Sequence, residues 1–283
     1  MTVSRPSVVP LLAPASLILV AGFVLPLVNL GIESLHQFTP GRVGSVEGAP
    51  LTLENYQELL NGAFGDVLAT TFWLGGLAAA IGLTVAFPLA YCIVRRFSPR
   101  WRTLALGMMI MLVLSSILVK TYAIELTFGA VGVTRPLLLA LGISPNSHGV
   151  IEAVVVAGLV HAIVPVAVLT LVGAVQSIDP RLVDAAQSLG APAWKAHLTI
   201  TLPLSLPALV SSFLVSLTFA ISAFVIPMVL GRGRILFMSN IIYTRFSDIA
   251  NYPSGAAVSL AMLAVAMVVI AFVQAVHGRR ART

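Results

Sequence analysis

Few side chains in this sequence are placed to carry out chemistry. Only two lysines occur, Lys120 and Lys195, and they follow Val119 and Trp194. The chain therefore has no Gly-Lys-Ser/Thr of a phosphate-cradling loop. No histidine is followed by glutamate, which excludes the H-E-x-x-H zinc signature. The nearest approach to a nucleophile elbow, Gly142-Ile143-Ser144-Pro145-Asn146, lacks its second glycine. One cysteine, Cys92, forms no internal disulfide and supports no metal cluster. His161 is a lone histidine in an apolar run. Packing explains it more simply than a ligand or relay role, although an ionisable group at that depth raises a functional suspicion. With no nucleophile, base or metal set, the enzyme reading falls.

The elements that position these residues are apolar. Of 283 residues, 58% are hydrophobic and 9% charged, with a mean hydropathy of +1.02. Soluble domains carry about 25% charge, so the composition fits a membrane protein of several spans. A net charge of +6 and a pI near 10.1 could suggest nucleic acid. In a membrane protein such an excess belongs to cytoplasmic loops instead, and nucleic acid is not an expected partner. Spans of roughly 20 apolar residues are expected near Leu11–Leu30, Val67–Val94, Leu104–Ile124, Ile151–Val175, Leu206–Leu230 and Ala256–Val276. The first is too long for a signal-peptide core and has no clear cleavage site after it, so it reads as a retained span.

Charge orients these six helices. One side carries Arg5, Arg95, Arg96, Arg100, Arg102, Arg181, Lys195, Arg279, Arg280 and Arg282, with Asp179 and Asp184 its only acids. On the other, Arg42, Lys120, Arg135, Arg232, Arg234 and Arg245 face Glu33, Glu47, Glu54, Glu58, Asp66, Glu125, Glu152 and Asp248. The basic side is expected in the cytoplasm, with both termini. No acid lies deep within a span, which counts against coupling to an ion gradient. Outside, residues 31–66 form a long loop in which Leu51–Leu60 is expected to be an amphipathic helix, with Leu53, Tyr56 and Leu60 on one face. Thr134–Ser147 reads as a shallow or re-entrant half-span. The chain has no internal repeat and reads as a single membrane domain, residues 1–283.

Gln176–Pro207 breaks this pattern on the cytoplasmic side. Arg181–Leu189 reads as a polar helix that stops at Gly190, where a positive φ suits a helix end. Pro192 suits the first turn of a second short helix, and Pro203 and Pro207 are expected to bend the chain back toward the fifth span. A compact amphipathic knuckle between two spans suits it to gripping another protein.

These residues resemble a known family. Asp184-Ala185-Ala186, then Gly190-Ala191, Ile200-Thr201-Leu202-Pro203-Leu204 and Pro207, are similar to the "EAA" loop of permease subunits of bacterial ATP-binding-cassette importers. The resemblance implies an all-α, six-helix type I importer permease fold, with 176–207 as its coupling loop. It also implies that the loop docks on a separate ATPase subunit, two of which would serve the complex, and which bind the ATP and Mg; this chain itself needs no cofactor. Further implied partners are a second, paralogous permease, an external or periplasmic solute-binding protein, and lipid of the bacterial inner membrane. In the loop, Ala185, Ala186 and Ala191 allow close approach, Gly190 makes the turn, and Leu189, Trp194 and Leu198 supply apolar anchors. The Pro203/Pro207 pair stiffens the link to the fifth span. Two departures stand out: Asp184 replaces the usual Glu, and His197 stands where the family has Phe, which weakens one anchor or matches a different partner surface.

The resemblance extends along most of the chain. Asn55-Tyr56, Pro88-Leu89-Ala90-Tyr91, Leu118-Val119-Lys120-Thr121-Tyr122-Ala123 and Phe224-Val225-Ile226-Pro227 with Leu230-Gly231 are similar to the spermidine and putrescine importers. In that subgroup Arg is usual at Lys120 and Trp at Ile124. A polyamine pathway, open alternately outward and inward, would pair carboxylates with aromatic faces. Tyr122 with Glu125, and Tyr243 and Tyr252 with Asp248, are such sets, and Ser222 and Phe224 are further pathway residues. The same groups also read as interfacial tyrosines and solvated charges. Lys120 would repel a polyamine unless Glu125 paired with it, and Arg232 and Arg234 leave an anionic solute open. Other small organic solutes, ferric iron, or a gradient-driven carrier remain alternatives.

Overall fold

The computed structural model describes residues 14, 16–41, 44, 50–60 and 62–280, with side chains described as far as residue 276. The start of the first expected span, the side chains of Arg279 and Arg280, and Arg5, Arg42, Glu47 and Arg282 lie outside them. Regular structure among the described residues is helical, apart from one antiparallel bridge between His36 and Leu51. The helices are α1 (Ser16–Glu33), α2 (Glu54–Leu59), α3 (Gly62–Arg95), α4 (Pro99–Leu114), α5 (Ile117–Phe128), α6 (Arg135–Ala140), α7 (His148–Ser177), α8 (Arg181–Ser188), α9 (Ala193–Ile221), α10 (Val225–Leu230), α11 (Met238–Tyr243) and α12 (Tyr252–Arg280). Among the described residues five helices are long and apolar enough to cross a membrane, or six if the bent pair α4 and α5 counts as one broken span.

Backbone contacts gather the chain into two units, one of Met1–Gly65 with Ile241–Ala264 and one of Asp66–Asn240 with Val265–Thr283. In the larger unit α3 and α7 form the centre. The face of α3 bearing Leu74, Ala78, Ala86 and Ile93 is buried, as are Leu159, Ile163, Val168 and Leu171 of α7. Gly82 lets the two backbones approach, because a Cβ there would meet the Ile163 side chain at 2.8 Å. At 34 and 30 residues these helices reach about 51 and 45 Å at a rise of 1.5 Å per residue, more than a bilayer core needs. Pro88 and Pro165 lie within them and end neither.

Two expected spans are interrupted. Leu104–Ile124 is not one helix, since α4 and α5 meet at 93°. Ser115 and Ser116 are extended there, with ψ of 147° and 125°. Serine hydroxyls compete with the helical ladder for backbone groups, and Ser115 Oγ donates to the Leu112 carbonyl at 2.9 Å. Lys120 Nζ reaches back from α5 to the same oxygen at 2.7 Å. A cation thus sits at the negative end of the α4 dipole and satisfies a carbonyl that the break exposes. Leu206–Leu230 is also interrupted, α9 ending at Ile221 and α10 starting at Val225. Here Ser239 Oγ donates to the Ala223 carbonyl at 2.6 Å and Asn240 Nδ2 to that of Phe224 at 3.2 Å.

A charged clamp holds the far end of α5. Arg232 Nε and Nη2 donate to the two carboxylate oxygens of Glu125 at 3.0 and 3.2 Å, and Nη1 donates to the Pro145 carbonyl and to Asn146 Oδ1. Arg234 Nη1 donates to the Asn146 carbonyl at 2.6 Å. Arg232 takes a left-handed φ of 51° to do this, a conformation that costs a non-glycine residue about 1 kcal/mol or more. The pair is largely buried, with side-chain exposures of 15% and 23%.

In the smaller unit, α2 is shorter than the expected Leu51–Leu60 helix, and its apolar face is not the buried one. Leu53 and Leu60 are exposed, Leu60 at 86%, whereas Asn55 is buried. Asn55 Nδ2 donates to the carbonyls of Ser34 and His36 at 2.9 and 2.8 Å, and Tyr56 and Ser34 share a hydroxyl bond of 2.8 Å. Polar bonds from Asn55 and Tyr56 thus pin the helix to the end of α1. Glu58 binds Arg245 and Ser254, and the Arg245 guanidinium lies over the Phe64 ring.

Asn55→Ala strands a buried carbonyl at Ser34 and a part-buried one at His36, a loss of about 1–3 kcal/mol. The purified transporter should melt earlier and be cut faster within 36–60; an unchanged melt and digestion pattern would refute the pinning. Glu125→Ala should cost roughly 2–3 kcal/mol because a mostly buried Arg232 loses its counter-ion. The double variant Glu125→Ala/Arg232→Met should recover part of that loss, and strictly additive losses in the melting series would count against the clamp.

Candidate functional site

The two helix breaks share a cavity of about 410 Å³. Its wall takes Val113, Ser115, Ile117 and Lys120 from the α4–α5 break, Ala162 and Val166 from α7, and Phe219 with Ser222–Ile226 from the α9–α10 break. Two of the expected pathway residues, Ser222 and Phe224, are therefore brought together. Their neighbour Lys120 is the only charged side chain among the described lining residues. The Ser115 and Ser222 hydroxyls both turn back onto helix carbonyls, those of Leu112 for the first and of Thr218 and Phe219 for the second. What remains is an apolar chamber with one cation in its wall.

The other expected pathway residues are not among those that line this cavity. Glu125 does not pair with Lys120, as the sequence had left open; Arg232 takes both of its oxygens. Tyr122 is exposed and is not in the cavity wall. Tyr243 is exposed, Asp248 is exposed at the end of the π turn Thr244–Asp248, and Tyr252 packs edge-on to Phe246 at 5.4 Å. Phe219 and Ser115 were not foreseen as wall residues. No local motif marks them, because their place follows from where the breaks fall.

The knuckle divides differently from its sequence expectation. Asp179 Oδ1 accepts the Arg181 N–H at 2.9 Å and starts α8. The helix closes at Gly190, with φ +90°, where the Gly190 N–H donates to the Gln187 carbonyl and the Ala191 N–H to that of Ala186. This pairing is a Schellman closure, and glycine meets its positive φ without a steric penalty. Pro192 does not occupy the first turn of the next helix but its cap position, with ψ 149°. Nor do Pro203 and Pro207 turn the chain away from a separate short helix. From Ala193 to Ile221 the helix is unbroken, with a π turn at His197–Thr201.

One face of the knuckle packs inward and one is bare. Val183 and Ala196 are buried. His197 also faces inward, edge-on to Tyr91 with ring centroids 4.9 Å apart, and its Nδ1 bonds Thr201 Oγ1 at 3.2 Å. The substitution for Phe thus alters an internal contact, not an outward anchor. Arg95 Nη2 ties the end of α3 to the carbonyls of Val175 and Ile178, at the entry to the knuckle. A polar recess of about 330 Å³ lies among Tyr91, Arg96, Asp184, Gln187 and His197. On the bare face Leu189, Trp194 and Leu198 are 90%, 65% and 54% exposed, and Asp184 and Ala185 are exposed beside them. Ala186 and Ala191 are half-buried, and Pro203 is exposed on α9.

Comparison with known proteins agrees with this architecture. Residues 78–283 match the family model described as "Binding-protein-dependent transport system inner membrane component". The chain is 30% identical over 226 residues to the spermidine/putrescine transport system permease protein PotB of Haemophilus influenzae, covering 79% of this chain and 78% of the relative. It is 26% identical over 216 residues to PotB of Escherichia coli, covering 76% and 78%. Among solved structures, a bacterial ABC transporter involved in the import of the acidic polysaccharide alginate superposes with a TM-score of 0.76, over 95% of this chain and 94% of that one. Identity there is 18%, so the likeness is one of fold. A family match over nearly three quarters of the chain, five or six helices apolar enough to cross a membrane, and a permease fold place this protein in that family: it is a multi-pass inner-membrane permease subunit of an ABC importer.

Proposed function

We propose that this subunit forms half of an ATP-driven import pathway for polyamines of the spermidine and putrescine type, and that the knuckle couples it to a separate ATPase. The observation that carries the coupling is the bare Leu189–Trp194–Leu198 face at the start of a helix that runs unbroken to the cavity wall. Exposed apolar side chains on a polar helix pair are what a docking groove would bury, and a large aromatic such as Trp194 is the usual energetic centre of such an interface. Basic residues gather at the same side: Arg95, Arg96, Arg100 and Arg102 near the α3–α4 turn, and Arg181 and Lys195 on the knuckle. That bias supports a cytoplasmic knuckle and cytoplasmic termini. ATP and Mg would then bind to two ATPase subunits, with none needed in this chain. The family description supports an external solute-binding protein, and a paralogous permease would complete the pathway. Polyamine as solute is supported by the PotB relatives, which match along most of their length.

Trp194→Ala should release the ATPase subunits, with binding weaker by about tenfold or more, measured by co-purification. Gly190→Val forces a β-branched residue to φ +90° and should break the closure of α8. Solute-stimulated ATP hydrolysis in proteoliposomes should collapse while the subunit still inserts. Normal assembly and stimulated hydrolysis in both variants would refute the docking surface. For the solute, uptake of labelled spermidine and putrescine is to be compared with that of iron and other amines in proteoliposomes containing the whole complex. Uptake of polyamines dependent on ATP and the binding protein is expected, and its absence would overturn the substrate while leaving the permease family in place.

A further inference from the structure

The pairing of charges around the cavity gives Lys120 a role beyond holding the broken span. A wall built to hold an ammonium group would present a carboxylate or several free carbonyl oxygens. Among the described lining residues there is no carboxylate, and the nearest acid in sequence, Glu125, is held by Arg232 in a two-point ion pair. The charge the cavity does present is positive. Lys120 Nζ donates to the Leu112 carbonyl at 2.7 Å, at the negative end of α4, and no acid lies beside it among the described lining residues.

We propose that Lys120 is a specificity-determining charge filter. Its ammonium keeps cationic groups of the solute from settling in this cavity, and leaves the apolar wall of Val113, Ile117, Val166, Phe219 and Phe224 to meet methylene segments. The proposal rests on the polyamine reading and deepens it: ammonium-holding groups belong outside this cavity, and the subunit contributes a slippery wall over which a cation passes without being trapped. Repulsion between fixed like charges in a medium of intermediate dielectric falls off slowly enough to act across a chamber of this size. Each further ammonium group on a solute therefore adds to the penalty.

The test uses the purified whole complex without its solute-binding protein, and equilibrium binding of three labelled amines: butylamine, putrescine and spermidine. Lys120→Met removes the charge at similar length, Lys120→Gln removes it but keeps a donor for Leu112, and Lys120→Arg keeps both charge and donor. Affinity should rise in the Met and Gln variants, by about tenfold for each ammonium group brought near the site, least for butylamine and most for spermidine. The Arg variant should match wild type. A purely structural lysine would instead lower stability and affect the three amines alike. Should Lys120→Met fail to fold, Lys120→Gln carries the measurement. Equal affinities for the three amines across the neutral variants would overturn the filter, as would loss of amine binding. ATP-dependent polyamine uptake by wild type judges the substrate reading separately, since amine binding to the complex is read without transport.

Discussion

A backbone carbonyl inside a bilayer has no water to turn to, and this constraint governs where the chain can break. An unsatisfied polar group in hydrocarbon costs several kcal/mol, so irregular backbone at membrane depth needs dedicated partners. This chain breaks two spans and supplies partners at each. Lys120 and Ser115 converge on the Leu112 carbonyl, and Ser239 and Asn240 reach the carbonyls of Ala223 and Phe224. These bonds offset the cost of leaving the helical ladder at each break, and the cavity lies between the two breaks.

The helix Ala193–Ile221 relates that cavity to the knuckle. At 29 residues it is about 43 Å long, with Trp194 exposed at one end and Phe219 in the cavity wall at the other. The proline at 203 could have broken it, since a proline ring collides with the carbonyl four residues earlier. A π turn at His197–Thr201 widens the helix just there and lets it continue. Its backbone thus runs from one site to the other as a single helical element, with a π turn and two prolines along its course. The departure at His197 fits the same logic. Its ring braces the π turn against Tyr91 and its Nδ1 bonds Thr201 across the turn.

Much of this was legible in the sequence because it depends on local pattern. Apolar run lengths located α3, α7 and α12, and Gly190 after a polar amphipathic stretch located the helix stop. What escaped depends on partners far away in the chain. The Ser115-Ser116 pair reads as an unremarkable part of an apolar run until Lys120 is seen to satisfy the carbonyl it frees. Glu125 reads as a solvated or cation-binding acid because Arg232, 107 positions later, cannot be placed from sequence. The role of Asn55 was not legible, since the spacing of Leu53, Tyr56 and Leu60 is a local signal and the carbonyls of Ser34 and His36 that Asn55 binds lie about 20 positions away. Prolines 192, 203 and 207 were misread for a related reason: their φ restriction is local, but whether a helix tolerates them depends on the turn around them.

The same contrast explains why the driving partner is easier to name than the cargo. The proposed docking surface lies within one contiguous stretch, 181–198, whose spacing survives translation into shape, because a short helix pair has few ways to fold. A solute path is assembled from wall residues scattered between 113 and 226, and its electrostatics is a balance that one distant salt bridge can reverse. Free, Glu125 would have made the neighbourhood attractive to cations; paired with Arg232, it leaves Lys120 to set the sign of the field. Which charges face the cavity is decided only once the chain has closed on itself, by pairings such as Glu125 with Arg232.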